Sequence, residues 1–204
     1  MDNQKPTISL GFTGERFPAG VHICQIFSDD EEREEALLQY LRSGLETGER
    51  TSCFSDKTPA AVVSKHLACH GISYEERCGC GDLTMANPKD IYFKNDRFEP
   101  DRMLEVLTKY QEDSVADGYP AARVIGEMSS EIQGMSGGSR LLEYESRVTL
   151  LQRDHPVTCV CQYDARSFDG AMIMDVLKVH PLMVIRGAVV RNPFFVPPEE
   201  FLAR

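Results

Sequence analysis

No run of about 18 apolar residues occurs in this chain, so no membrane-crossing helix is expected. The opening stretch MDNQKPTISLGFTGERF has no apolar segment behind a basic start, which argues against a secretory leader and for a cytoplasmic location. A Lys/Arg stripe is also missing: 32 acidic residues face 22 basic ones, for a net charge of −10. So acidic a chain repels phosphate backbones, and direct binding to DNA or RNA is not expected. The seven cysteines are odd in number and include no pair of C-x-x-C motifs. Without a secretion signal the compartment is reducing, so a disulfide framework is not expected, and most of these thiols read as small buried hydrophobes. Nucleophile-elbow, H-E-x-x-H and Rossmann glycine patterns are absent as well. No catalytic base with an orienting partner can be named, so catalysis is not expected.

What is present reads as one α/β domain. Residues 1–19 are polar, punctuated by Gly and Pro, and form a lead-in; residues 20–204 form the domain. Val21 to Phe27, Arg50 to Asp56, Ala122 to Met128 and Val157 to Tyr163 are compact apolar runs with the character of buried strands. Ser28, Asp29 or Asp30 caps a helix whose apolar stripe is Ala36, Leu37, Leu38, Leu41 and Leu45. Further helices are expected at Pro59–His70, around Met103, Val106, Leu107 and Tyr110, at Leu141–Arg153, and at Asp169–Val179. Ile72 to Cys78, Leu83 to Asn87 and Asp90 to Phe93 read as short strand-like pieces, and the end as one or two β segments with a Pro-rich exit. Strands alternating with helices predict a mostly parallel central sheet covered on both faces.

In such a sheet the first strand–helix turn is where phosphate is bound, at free N–H groups of the helix start. A phosphate-binding loop would read G-x-x-x-x-G-K-[ST] there. Here the turn reads F-S-D-D-E-E-R, without glycine or lysine. Four acids beside a triphosphate would cost several kcal/mol even at an effective dielectric near about 20. The plain alternative is a solvated acidic first turn that complements the helix dipole.

Several phrases, in order, carry a more specific resemblance: HICQIFSDDEEREEALLQYLRSGLETGER, RVIGEMS, CQYDARSF and HPLMVIRG with RNPFF. The chain resembles the MEDS domain, the methanogen/methylotroph DcmR sensory domain, from about His22 to Phe201. The resemblance implies a RecA/KaiC-like α/β fold with the P-loop lost, and a role in sensing small organic compounds, hydrocarbon derivatives included. It also implies a protein partner or linked output module, such as a histidine kinase or a transcription regulator. The ligand itself is not implied, and no cofactor is.

The candidate ligand-binding residues are His22, Cys24, Gln25, Ser28, Asp29, Glu127, Gln162, Tyr163, Asp164 and His180. Cys24 and Gln25 lie on opposite faces of the first strand. Glu127 ends a strand, where an open sheet places its ligand crevice, although a solvated acid explains it equally. Gln162, Tyr163 and Asp164 end another strand and are expected to join Ser28 and Asp29 around that crevice. Internal hydrogen bonds would account equally for Gln25, Gln162 and Tyr163. His180 reads as a helix C-cap or a ligand-facing imidazole, and Phe194 and Phe195 read as core. Two other functions stay open. One is a divergent nucleotide-binding domain with Glu127 as metal-polarising acid and the glycines of Met135–Ser139 as phosphate cradle. The other is a thiol or metal sensor built on Cys69, His70, Cys78 and Cys80. The amphipathic helices serve a homodimer or simply the core.

Overall fold

The computed structural model describes residues 5–203. Residues 1–4 of the expected lead-in, and residue 204, lie outside the described residues. A small hairpin comes first, β1 (Thr7–Ser9) with β2 (Arg16–Pro18), followed by β3 (His22–Phe27), α1 (Asp30–Glu46), β4 (Arg50–Phe54) and α2 (Ala60–Ala68). Then come α3 (Tyr74–Cys80), β5 (Leu83–Ala86), α4 (Pro88–Tyr92), the short pair β6 (Phe93–Lys94) and β7 (Arg97–Phe98), and α5 (Pro100–Ala116). The second half holds β8 (Ala122–Glu127), α6 (Leu141–Asp154), β9 (Val157–Asp164), α7 (Gly170–Val179), β10 (Leu182–Ile185), β11 (Ala188–Arg191) and α8 (Pro198–Phe201). Seven strands make the main sheet in the order β11-β10-β3-β9-β8-β4-β5. All its pairings are parallel except the edge hairpin β10–β11.

The central strands read as strands because they are buried on both faces, which forces a continuous apolar run rather than alternation. β8 is buried at every position, and β9 at all but Cys161. One face carries Ile23, Cys53, Ile125 and Val160 against Leu37, Leu41 and Leu45 of α1 and Val63 and Leu67 of α2. The other carries Cys24, Val124, Cys159 and Tyr163 against Met103 and Leu107 of α5, Tyr144 and Val148 of α6, and Val176 of α7. Each such aliphatic side chain contributes about 1.5–3 kcal/mol on burial.

Three segments differ from the sequence expectation. Ile72 to Cys78 is not a strand: the Ser73 hydroxyl accepts from the Glu76 amide and starts α3, an S-x-x-E cap that outweighs the local Gly and Cys content. Asp90 to Phe93 is largely α4, begun by an Asn87 side chain that accepts from the Lys89 amide and by Pro88 in the first turn. The supposed lead-in forms the β1–β2 hairpin, and its Ile8 and Leu10 are buried in the α1-side core. Phe194 is exposed rather than core, because it follows a turn in which the Asn192 side chain accepts from its amide.

Candidate functional site

β3, β9, β8 and β4 run parallel, so their C-terminal ends open on one crevice. Phe27 ends β3, Gln162 and Asp164 end β9, Glu127 ends β8, and Ser55 to Lys57 follow β4. Between them lies a cavity of about 110 Å³, lined by Phe27, Lys57, Glu127, Gln162 and Asp164 among others. That is room for about three or four waters at about 30 Å³ each, well short of the about 300–1,000 Å³ of a pocket for a drug-sized ligand.

The chain's own charges fill much of this crevice. Arg33 sits in the acidic run after β3, yet it is buried rather than solvated. Its guanidinium Nη1 donates to Glu127 Oε1 at 2.6 Å and to Thr58 Oγ1 at 2.9 Å. Ser55 Oγ donates to the same Glu127 oxygen at 2.6 Å. Among the described residues Glu127 Oε2 has no partner, and neither does Gln162 Oε1. The Gln162 amide is oriented by its neighbours: its Nε2 donates to Gln25 Oε1 at 2.8 Å and to the Arg33 carbonyl at 3.3 Å. Its oxygen is therefore left as a bare acceptor. Burial raises the Glu127 carboxyl above its usual range, against the opposing pull of Ser55 and Arg33.

At the outer edge Lys57 Nζ meets Asp164 Oδ2 at 2.6 Å, and Arg166 bridges Asp164 and Asp30. Hydrogen bonds from Arg166, then from Lys57, hold the Asp164 carboxyl well below its usual range. The ring of Phe27 is approached by Lys57 at 4.9 Å, Arg33 at 5.8 Å and Arg166 at 5.9 Å. At the start of α1 the Asp29 carboxylate already accepts from the amides of Glu31, at 2.8 Å, and Glu32, at 3.2 Å. Those are the donors that a phosphate would need.

The nominated residues thus divide. Glu127, Gln162 and Asp164 line the crevice, while Ser28 and Asp29 stand exposed at the start of α1. Gln25 lies on the α1 side, bonded to Gln162. Tyr163 does not join the crevice. Side chains alternate along β9, so Tyr163 turns to the opposite face and donates to Glu145 Oε1 at 2.6 Å. His22, Cys24 and His180 are on that same face, buried beneath α6 and α7. Burial and the neighbouring His180 push His22 down to about 4, so its imidazole is neutral at pH 7. His180 is the C-cap residue of α7, with Nδ1 2.9 Å from the Val176 carbonyl.

A family model for MEDS, the methanogen/methylotroph DcmR sensory domain, matches residues 21–181. The chain belongs to that family. Among solved structures, a KaiC-like protein from the archaeon Pyrococcus horikoshii OT3 aligns with a TM-score of 0.59 at 15% identity, covering 88% of this chain and 79% of that one. The flagellar accessory protein FlaH from Methanocaldococcus jannaschii aligns with a TM-score of 0.60 at 11% identity, covering 90% and 83%. At these identities the likeness is one of fold, and the MEDS domain has a RecA/KaiC-like fold. No curated protein matches the sequence. Among the described residues no helix is long and apolar enough to cross a membrane.

The glycines of the MEDS domain's Met135–Ser139 loop have a packing explanation. A Cβ on Gly137 would stand 2.1 Å from the Phe98 carbonyl oxygen, and one on Gly138 1.6 Å from that of Ile132. Neither residue lines the crevice cavity. Cys69, His70, Cys78 and Cys80 do not gather either. Among the described residues the one group with metal-ligating geometry is His22, Glu145, Cys161 and His180. Glu145 and Arg33 escaped the sequence reading. Glu145 falls at i+4 from Leu141 and three before Val148, on the buried stripe of α6, and that spacing was its only signal.

Proposed function

We propose that this sensory domain binds a small organic molecule carrying a hydrogen-bond donor, uncharged or cationic, in the crevice at Glu127. The observation that carries this reading is the pair of partnerless acceptors, Glu127 Oε2 and Gln162 Oε1, on residues lining a cavity of about 110 Å³. A short alcohol or amine supplies what those oxygens need, since a buried acceptor without a donor costs about 1–3 kcal/mol. A nucleotide is disfavoured by size, by the Asp29 cap and by the Arg33–Glu127 pair, whose charges already fill part of the crevice. The domain acts by binding rather than by turnover. A ligand that donates to Glu127 Oε2 shares one carboxylate with Arg33, which holds Oε1, and so biases the start of α1, the element through which the state is passed to a kinase or transcription-regulator module.

Thermal-shift measurements with short alcohols, short amines and ATP–Mg²⁺ test this. A saturable rise in Tm is expected with an alcohol or amine, and it should vanish in Glu127→Gln combined with Gln162→Leu. Stabilisation by ATP–Mg²⁺ alone, accompanied by hydrolysis, would favour the divergent nucleotide-binding domain instead.

A further inference from the structure

A second polar cluster lies on the other face of the sheet, away from the crevice. His22 opens β3, Cys161 is on β9, Glu145 projects from α6 and His180 follows α7. His22 Nε2 is 3.2 Å from Glu145 Oε2 and 3.4 Å from Cys161 Sγ, while Glu145 Oε2 is 3.7 Å from that sulfur and 3.5 Å from His180 Nε2. All four ligand atoms lie within 4.8 Å of one another. Tetrahedral zinc with bonds of about 2.0–2.3 Å separates its ligand atoms by about 3.3–3.7 Å. Three of the four contacts quoted fall in that range, and the fourth, His22 to Glu145 at 3.2 Å, lies just below it.

The decisive atom is His180 Nε2. Its ring partner Nδ1 faces the Val176 carbonyl, which can only accept, so Nδ1 carries the hydrogen and Nε2 is the atom left to meet a proton or a metal ion. That nitrogen is fully buried, has no hydrogen-bond partner among the described residues, and lies 3.5 Å from a Glu145 carboxylate oxygen. An imidazole nitrogen and a carboxylate oxygen facing each other in a buried interior call for a cation between them, a proton or a metal ion. The surroundings are those of an outer ligand shell. Tyr163 donates to the remaining oxygen of Glu145, His22 Nδ1 is 3.0 Å from Thr149 Oγ1, and Asn192 Nδ2 donates to the His180 carbonyl at 2.8 Å. A surface groove of about 300 Å³, lined by Val21, His22, Thr149 and Pro181 among others, borders the cluster at His22, the one member among its lining residues. Cys161 is its partly exposed member.

We propose that His22, Glu145, Cys161 and His180 form a site for a divalent metal ion with tetrahedral preference, zinc foremost. Binding displaces the Cys161 thiol proton to solvent. One dication, one carboxylate, one thiolate and two neutral imidazoles then sum to zero charge, the form that a buried site tolerates best. The site is independent of the crevice and of the ligand proposed there. The competing occupant is a proton, giving a buried imidazolium–carboxylate pair with no metal.

The test uses the untagged full chain, purified without chelator, for elemental analysis, and the metal-stripped protein titrated with cobalt(II). One equivalent of zinc is expected, and one equivalent of cobalt should give the visible bands of a tetrahedral ion together with thiolate-to-cobalt charge transfer. Cys161→Ser should keep the tetrahedral bands and lose the charge transfer. His180→Ala should weaken cobalt binding by more than about 100-fold, beyond the loss of a merely supporting group. Failure of the wild-type protein to hold metal or develop tetrahedral bands overturns the site in favour of the proton. Charge transfer that survives in Cys161→Ser but disappears in a Cys78→Ser, Cys80→Ser double variant overturns it in favour of the surface thiols.

Discussion

Two buried arginine–glutamate pairs stand at opposite ends of the central strands, and they are finished to different degrees. At the N-terminal end Arg123 of β8 meets Glu49, just before β4. Arg123 Nε donates to Glu49 Oε2 at 2.9 Å, Nη1 to the Tyr40 carbonyl at 3.1 Å, and Nη2 to the Ser9 carbonyl at 3.0 Å as well as to Glu49 Oε1. Thr47 adds a hydroxyl to the carboxylate, and the guanidinium lies 4.7 Å from the Tyr40 ring centre. Gly44 makes room for it, since a Cβ there would be 2.7 Å from Arg123 Cδ. At the C-terminal end the Arg33–Glu127 pair concentrates its bonds on one oxygen, while Arg33 Nε and Glu127 Oε2 are left without partners beside a cavity. A saturated pair fixes structure, here tying the N-terminal hairpin to the sheet through Ser9. An unsaturated pair at a crevice keeps capacity for something else.

The comparison breaks first at the saturated pair. Glu49→Gln leaves a buried guanidinium without its counter-charge and should cost about 3–5 kcal/mol in urea unfolding. Adding Arg123→Met should recover much of that loss, because the double variant leaves no buried charge unpaired. A loss below about 1 kcal/mol for Glu49→Gln would mean that the two pairs are energetically alike. Next in size is Arg33→Met. Glu127 keeps Ser55 and borders a cavity, so the loss should be about 1–3 kcal/mol by the same assay. The Tm response to short alcohols or amines should change in Arg33→Met and stay as it was in the Arg123→Met, Glu49→Gln double variant.

How far the sequence revealed this depends on what each residue is buried against. HICQIF, ARVIGE and VTCVCQYD were legible because a strand covered on both faces has to be apolar throughout. α3 and α4 were not, since each rests on a single capping side chain, Ser73 or Asn87, within a Gly-, Cys- or Pro-rich stretch. Glu127, Gln162 and Asp164 were legible as strand ends of a parallel sheet. Tyr163 was misplaced by one residue of alternation, which is enough to reverse its face. Arg33 was hidden inside SDDEEREE, where neighbouring acids disguise the one position that helical spacing turns inward. The GLETGE stretch at the end of the first MEDS-like phrase has its physical cause in Arg123: Gly44 gives it space and Glu49 gives it charge.

The smallest expected effect lies at the crevice rim, where Lys57 and Arg166 meet Asp164 partly in solvent. The Asp164 carboxyl is held below its unfolded value of about 3.9, so its contribution to stability is fully present above that pH and declines as the pH falls through the folded value. Asp164→Asn should therefore flatten the acid limb of stability below about pH 4 and leave the slope near neutrality unchanged. The difference should shrink in high salt, because both cationic partners are solvent-accessible and screened, unlike the Arg123–Glu49 pair. Urea midpoints measured from pH 6 down to about pH 2.5, at low and high salt, check both statements. An acid limb identical in wild type and Asp164→Asn would remove the rim from the crevice's electrostatics and leave Arg33–Glu127 as its only charged anchor.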